Sequence, residues 1–178
     1  MEAYYMATGF DLEINWRKTT PNFKFFLFFA IFWNGIVSIF VISALATGSF
    51  DFLLPMIFHI VIGVGLLYYI VAVVLNKTYI GVSQWDLTVE HKPIPIPFYR
   101  TLELDSKSIE QIFVERYVAS KTNGQPDYAY KVMAKVKNTE KPVRVMKGLK
   151  NLEQGRFIEQ EIEKFLHIED QAMEGEWR

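Results

Sequence analysis

Histidine and the acidic residues are the side chains in this sequence that could serve as metal ligands or as acid–base groups. The chain has three histidines and no cysteine, which excludes a disulfide framework and a thiolate metal site. His59, His91 and His167 lie far apart and share no element at the spacing of metal ligands. The acidic residues are densest in the last helical stretch, where they have the pattern of a solvated face. We therefore expect no metal site and no convergent carboxylate pair.

Motifs for a nucleophile or a phosphate group are equally absent from the sequence. No serine lies in the setting of a nucleophile elbow. The glycines of GVG at 63–65 lie in an apolar run, without the strand-to-helix context of a phosphate loop. We predict that the protein is not an enzyme and has no small-molecule substrate.

Two long uncharged runs occupy the first half of the chain. Residues 25–50 read FFLFFAIFWNGIVSIFVISALATGSF, and residues 52–76 read FLLPMIFHIVIGVGLLYYIVAVVLN. Each run exceeds the ~20 residues that cross a bilayer. Because the link between them is short, they predict an antiparallel transmembrane hairpin over residues 23–76.

Lysine and arginine predict the orientation of this hairpin. Arg17, Lys18 and Lys24 precede the first run, Lys77 and Lys92 follow the second, and the link carries none. Basic residues favour the cytoplasmic side of a membrane. Both termini are therefore expected in the cytoplasm.

Polar and small residues inside the hairpin are candidates for helix packing. At ~1.5 Å of rise per residue, Asn34 lies at the depth of the glycines of the second helix, and Ser38 lies near the depth of His59. Small residues allow close helix approach. The candidate packing residues are Asn34, Gly35, Ser38, Gly63 and Gly65.

His59 allows two interpretations. It could be the axial ligand of a haem or a chlorophyll-type pigment. Alternatively, it is a neutral histidine that is hydrogen-bonded to Ser38 or to a partner helix.

The remainder of the chain alternates with period two and then with a helical period. Strand patterns begin at residue 78, and a similar pattern, FDLEINW at 10–16, precedes the hairpin and is expected to join the same sheet. An amphipathic helix over about 151–167, opened by a capping box of Asn151 and Gln154, closes the domain. We predict about seven strands and this helix. The expected organisation is an N-terminal segment 1–22, the hairpin 23–76, a cytoplasmic domain 77–168 and an acidic tail 169–178.

This order of elements resembles a known layout. The stretches FFAIFWNG, VEHKPIPIP and GLKNLEQGRFIEQEIEKFL are similar to those of uncharacterised bacterial membrane proteins with a two-helix transmembrane hairpin and a pleckstrin-homology-like (PH-like) domain. The resemblance implies an α+β protein of the inner membrane, with an antiparallel sheet closed by a C-terminal helix. In layout alone the chain is also similar to a photosystem I assembly factor family, with no shared motif.

Charge is uneven along the soluble part. Residues 131–150 hold seven basic residues and one acidic residue, whereas residues 151–178 are acidic. The basic segment could contact anionic lipid headgroups, or it could be a solvated strand face balanced by the helix that follows. Nucleic acid is not expected, since the domain is tethered and not basic overall. The headgroup candidates are Lys131, Lys135, Lys137 and Arg144.

A proline-rich stretch, EHKPIPIPFYR at 90–100, interrupts the strand pattern. Its prolines lack the N–H that a sheet ladder needs, which indicates a sheet edge or a projecting loop. The apolar residues between the prolines could contact the membrane, the hairpin or a partner, or could fold onto the domain's own core. The candidate partner-contact residues are Pro93, Ile94, Pro95, Ile96, Pro97 and Phe98, with Ile96 and Phe98 expected to be buried by something outside the loop.

Three hypotheses for function follow. The first is a non-catalytic accessory or scaffold subunit that stabilises or assembles a larger integral-membrane complex, for example a photosynthetic or respiratory one. The second is a membrane-anchored regulatory module that binds lipid or peptide. The third is binding of haem or pigment through His59.

Overall fold

The computed structural model describes residues 2–6, 8–20, 22–51, 53–97 and 99–177. The described part has four helices, α1 (Trp16–Thr19), α2 (Phe23–Thr47), α3 (Leu53–Leu75) and α4 (Leu152–Leu166). Its strands are β1 (Glu2–Met6), β2 (Gly9–Asn15), β3 (Lys77–Ser83), β4 (Asp86–Lys92), β5 (Leu102–Asp105), β6 (Ile109–Thr122), β7 (Gln125–Val136) and β8 (Val143–Leu149). This is an α+β fold.

Helices α2 and α3 form an antiparallel pair, and each is long and apolar enough to cross a membrane. The buried residues of α2 are Ala30, Val37 and Ala44, which repeat every seven positions. Such a repeat keeps one narrow seam of a helix against its partner. The other faces of both helices are largely exposed.

Asn34 and Gly63 form the polar contact of this pair. The Asn34 side-chain amide donates to the carbonyl oxygen of Gly63 at 3.2 Å and to that of Ala30 at 2.8 Å. A Cβ at Gly63 would lie 2.6 Å from Asn34 Oδ1, whereas one at Gly35 or Gly65 would meet nothing within 4 Å. Of the predicted packing residues, Asn34 and Gly63 therefore meet, while Gly35, Gly65 and Ser38 lie on exposed positions.

Two antiparallel sheets make up the rest of the fold. One has the order β1-β2-β3-β4-β5 and the other β6-β7-β8. Strand β2 pairs with β3 from Asn15 opposite Lys77 to Gly9 opposite Ser83, so the chain on both sides of the helices shares one sheet. The alternating residues of β2 place Phe10, Leu12 and Ile14 in the common core.

Helix α4 packs on the three-stranded sheet and closes that core with Ile158 and Ile162. A Cβ at Gly155 would lie 2.9 Å from the methyl groups of Val114, so the absence of a side chain there allows the close approach. The expected capping box is wrong. The Asn151 side chain makes no capping hydrogen bond, and Gln154 Oε1 is turned into the buried interior.

The number of strands also differs from the sequence expectation. Eight strands are described instead of about seven, because EAYYM of β1 has no apolar–polar alternation that would predict a strand. The end of the acidic tail also docks on the edge of β6, where Trp177 N–H donates to the Val114 carbonyl at 2.7 Å. The guanidinium of Arg116 lies against the ring of Trp177, 3.4 Å from its centroid, and against that of Tyr128.

Candidate functional site

A cleft of about 800 Å³ lies between the two sheets, at the end of the domain nearest α2 and α3. Its walls come from both sheets and from the ends of the helices, where Tyr69 and Thr20 line it. We call it the proximal cleft. The position of the cleft beside the helices follows from the chain connectivity, because β2 leads directly into the helices and β3 begins just after them, at Lys77.

A hydrogen-bonded chain of Trp16, Thr78 and His91 lines one wall. Trp16 Nε1–H donates to Thr78 Oγ1 at 2.8 Å, and Thr78 Oγ1 lies 2.9 Å from His91 Nδ1. Thr78 Oγ1 therefore accepts from the indole and shares a hydrogen bond with His91 Nδ1, whose direction depends on the tautomer of the neutral ring. Burial lowers the pKa of His91, which favours this neutral form.

Tyr99 completes an aromatic cluster with Trp16 and His91. Its ring centroid lies 5.1 Å from that of Trp16 and 5.2 Å from that of His91. Trp16 and His91 are 5.4 Å apart. Edge-on and tilted contacts of this kind hold the rings in fixed orientations, so this wall of the cleft is built from side chains that restrain one another.

Four cationic side chains are also among the described residues that line the cleft: Arg100, Lys131, Arg144 and Lys147. No carboxylate appears among the described lining residues. Lys131 forms an ion pair with Glu115 at 2.5 Å. Within the described part of the chain, the other three have no ion pair. The cleft is therefore a concave surface with uncompensated positive charge.

A bulge in β8 explains why Arg144 and Lys147 both line the cleft. Residues three apart point to opposite faces of a regular strand. Here Lys147 is opposite Lys131 and Arg144 is opposite Met133, with one extra residue of β8 between these pairs. Because of the inserted residue, the side chains of Arg144 and Lys147 lie on the same face of β8. It also leaves Lys131 and Lys147 as direct cross-strand neighbours of like charge, of which the ion pair with Glu115 offsets the charge of Lys131.

The proline-rich stretch forms the loop between β4 and β5 and is anchored to the end of α3. The buried Asn76 side chain donates to the Ile94 carbonyl at 2.8 Å and accepts from the Ile94 N–H at 2.7 Å. The Tyr68 hydroxyl donates to the carbonyl of Pro95. Ile96 then lines the proximal cleft. The loop therefore contacts the hairpin of its own chain and shapes the cleft.

The prolines and the isoleucines of this stretch differ in exposure. Pro93, Pro95 and Pro97 are exposed, while Ile94 and Ile96 are half-buried. Phe98 lies outside the described residues, so the expectation for its burial stays a prediction.

The headgroup candidates divide into two groups. Lys131 and Arg144 line the proximal cleft, but Lys135 and Lys137 do not. Lys135 lies 3.4 Å from Glu110, and Lys137 Nζ donates to the Lys107 carbonyl at 2.9 Å.

Several lining residues were not identified from the sequence. Arg100 stands alone after the prolines, and Trp16 carries no charge, so neither belongs to a recognisable cluster. Lys147 was visible only as part of a basic segment. The bulge that turns it toward Arg144 lies at Val145, where the sequence has no glycine, whereas Gly148, whose φ is +83°, belongs to a second register shift of β8 between Lys147 and Leu149.

His59 lies against Trp33 in the helix pair. The two rings are stacked with centroids 5.6 Å apart, Trp33 Nε1–H donates to the His59 carbonyl, and His59 Nδ1 is buried without a partner. Among the described residues, no group of three or more histidine and acidic side chains could hold a metal ion. Haem or pigment binding stays a prediction that rests on this one histidine.

Glu159 and Glu163 form a buried acidic pair on α4, away from the cleft. Burial, and then the nearby carboxylates of Glu163, Glu176 and Asp170, together raise the pKa of Glu159 to about 8, against the opposing charge of Arg156. Burial likewise raises the pKa of Glu163 to about 7, against the opposing hydrogen bonds of Gln111 and the Ile112 N–H. The pair makes folding sensitive to pH.

No protein-family model matches the sequence, and a search of curated proteins gives no match.

Proposed function

We propose that this chain is a membrane-anchored module that binds the anionic headgroup of a lipid in the proximal cleft. The observation that carries the proposal is the set of cations without ion pairs, Arg100, Arg144 and Lys147, in a concave site beside the ends of two apolar helices. A lipid headgroup is the anion that membrane anchoring would bring to this position.

The anchoring itself is supported by the exposure of α2 and α3. Only 11% and 22% of their most apolar stretches are buried, whereas the core helix of a soluble protein is mostly buried. Trp16 and Tyr69, which line the cleft, are residue types that favour the interface between a membrane and water. The basic residues that flank the helices favour a cytoplasmic domain with both termini in the cytoplasm.

A PH-like identity for the domain is consistent with two antiparallel sheets closed by a C-terminal helix. A fold of this kind supports several binding functions and establishes none. The headgroup proposal therefore depends on the residues of the cleft.

Lipid retention by the full chain tests this proposal. The protein would be reconstituted in nanodiscs with equal parts of phosphatidylcholine, phosphatidylglycerol and phosphatidic acid, then released for native mass spectrometry. We expect bound anionic lipid on the unchanged protein. We expect about tenfold less on Arg144→Glu and Lys147→Glu, because each reversal removes an attraction of ~1 kcal/mol and adds a repulsion.

Lys135→Glu is the matched control, since it makes the same change of charge on β7, the strand that pairs with β8, at a position outside the cleft. Unchanged retention in this variant would locate the effect in the cleft. An equal loss of bound lipid in all three variants would show that general surface charge causes the effect. Equal lipid profiles in all four proteins would overturn the proposal.

An accessory subunit of a larger membrane complex is the second candidate. Its support is the outer surface of α2, where Phe25 stacks on Phe29 and Phe28 on Phe32, with Phe25, Phe28 and Phe32 exposed. Purification of the tagged full chain in mild detergent, followed by mass spectrometry of co-eluting subunits, tests it. Recovery of a lone monomer would argue against it.

A further inference from the structure

A second concave site lies at the opposite end of the domain. Strands β2 and β3 have seven residues each and run away from the helices, from Asn15 and Lys77 to Gly9 and Ser83. At ~3.3 Å per residue they place their far ends about 20 Å from the helices. A groove of about 550 Å³ opens there, and we call it the distal groove.

The floor of the distal groove is apolar. It includes Phe10, Phe165 and Leu166, and the ring of Phe10 meets that of Phe165 edge-on with centroids 5.6 Å apart. A volume of this size can take one or two side chains of a bound segment. The floor therefore favours an aromatic or aliphatic group.

The rim of the groove is positively charged. Lys107 and Lys164 line it, and within the described residues no carboxylate forms an ion pair with either. Glu161 is the one acidic residue among the described residues that line the groove, and it accepts a hydrogen bond from the Tyr5 hydroxyl at 2.5 Å. Lys107 Nζ lies 5.1 Å from the ring centroid of Trp85, which is 71% exposed. The rim is complementary to carboxylates that flank an apolar side chain.

A strand edge adjoins the groove. Strand β1, which contributes Tyr5 to the lining, is the outer strand of its sheet in the described part of the chain. An outer strand offers backbone donors and acceptors to an extended peptide. A distance of about 20 Å from the helices places the site outside the bilayer, which favours a soluble occupant over a lipid.

We propose that the distal groove docks an extended acidic segment of a partner protein. One aromatic or aliphatic side chain of that segment lies on Phe10 and Phe165, and its carboxylates face Lys107 and Lys164. This inference goes beyond headgroup binding and rests on different residues. The chain would then join a membrane-bound site to a soluble partner.

Peptide binding to the full chain in phosphatidylcholine nanodiscs tests the inference. The probe is a fluorescein-labelled peptide in which aspartate and glutamate alternate with phenylalanine and leucine, and its fluorescence anisotropy reports binding. We expect saturable binding that weakens about tenfold in the double variant Lys107→Glu/Lys164→Glu, because each lysine contributes about 0.5–1 kcal/mol at an exposed rim and its reversal repels the peptide. Lys141→Glu, an exposed change outside the groove, is the matched control and should bind as the unchanged protein does.

A charge-swapped peptide keeps the test decisive if the double variant is less stable. With lysine in place of each aspartate and glutamate, the peptide should bind the double variant more tightly than the unchanged protein. Absence of binding by the acidic peptide, or equal binding in all variants, would overturn the proposal. Displacement by octanoate would assign the groove to a fatty anion, and a dimer lost in the double variant would assign it to a second copy; either result would also overturn it.

Discussion

Gly63 is a position in the helix pair where the packing leaves no room for a side chain. Its lack of a side chain leaves room for Asn34, whose amide bonds across the pair to the Gly63 carbonyl. A polar contact between apolar helices is favourable because the surrounding apolar side chains offer the amide few other hydrogen-bond partners. The same contact makes the position sensitive to a single methyl group.

We predict that Gly63→Ala destabilises the helix pair by about 1–2 kcal/mol, since the new Cβ would displace Asn34. Thermal unfolding in detergent, followed by circular dichroism, measures the change. Gly65→Ala is the matched control on the same helix, because a Cβ there meets nothing within 4 Å. Equal effects of the two substitutions would contradict the contact.

Glu159 carries the second residue-scale prediction. Its pKa is about 8 in the folded chain and 4.5 when unperturbed. The folded state therefore holds a proton that the unfolded state has lost, so stability falls as the pH rises from about 4.5 to about 8. Glu159→Gln has no proton to lose and should stabilise the protein by about 2 kcal/mol near pH 8.5, with little effect near pH 5.

Unfolding in denaturant at a series of pH values measures this difference. The facing charges of Glu163, Asp170, Glu176 and Arg156 stay in place in the variant. Glu174→Gln, at an exposed position of the tail, is the control and should keep the original pH dependence. A variant Glu159→Gln with an unchanged pH slope would show that this carboxyl does not cause it.

At the scale of elements, Asn76 joins three parts of the chain. Its backbone N–H donates to Ala72 of α3, its carbonyl accepts from Trp16 N–H, and its side chain holds Ile94 of the proline loop. One residue after α3 therefore sets the position of a cleft wall. The contact role inferred for the proline stretch is supplied, at Ile94 and Pro95, by its own hairpin.

We predict that Asn76→Ala costs about 2 kcal/mol of folding free energy, since the N–H and the carbonyl of the half-buried Ile94 lose their partners. It should also weaken lipid retention, because the loop that carries Ile96 and Arg100 is released. Thermal unfolding and native mass spectrometry measure the two effects. Asn151→Ala is the control, because Asn151 is exposed before α4 and its side chain makes no capping hydrogen bond. If Asn76→Ala is destabilised but retains lipid normally, the anchoring of the loop by Asn76 does not contribute to lipid binding in the cleft.

At the scale of the whole molecule, the β-sheet domain is discontinuous in sequence. Strands β1 and β2 precede the helices, yet Phe10, Leu12 and Ile14 belong to the same core as the strands that follow them. A fragment that begins at residue 78 would lack these strands and expose the edge of β3.

We predict that residues 78–178 alone do not fold cooperatively. Residues 2–15 joined to 77–177 by a short glycine–serine linker should fold, because Asn15 and Lys77 are adjacent partners in the sheet. Thermal unfolding by circular dichroism compares the two. Leu12→Asp in the linked protein is the control and should abolish its transition, since Leu12 is fully buried. Cooperative folding of the shorter fragment would disprove the shared core.

The sequence by itself determined the kinds and order of the main elements. Uncharged runs, period-two alternation and one amphipathic stretch are local patterns, and local patterns define helices and strands. Strand β1 lacked such a pattern and was missed, and the capping box matched a motif whose side chains take other positions.

Only the tertiary structure decided which residues share the proximal cleft. Trp16, His91, Arg100 and Lys131 are far apart in the chain, and strand pairing across the helices brings them to one cleft. A one-residue bulge in β8 adds Lys147 beside Arg144 and turns a basic segment into a concave site. Register and bulges arise from packing between distant segments, and for that reason the composition of the basic segment could not separate Lys131 and Arg144 from Lys135 and Lys137.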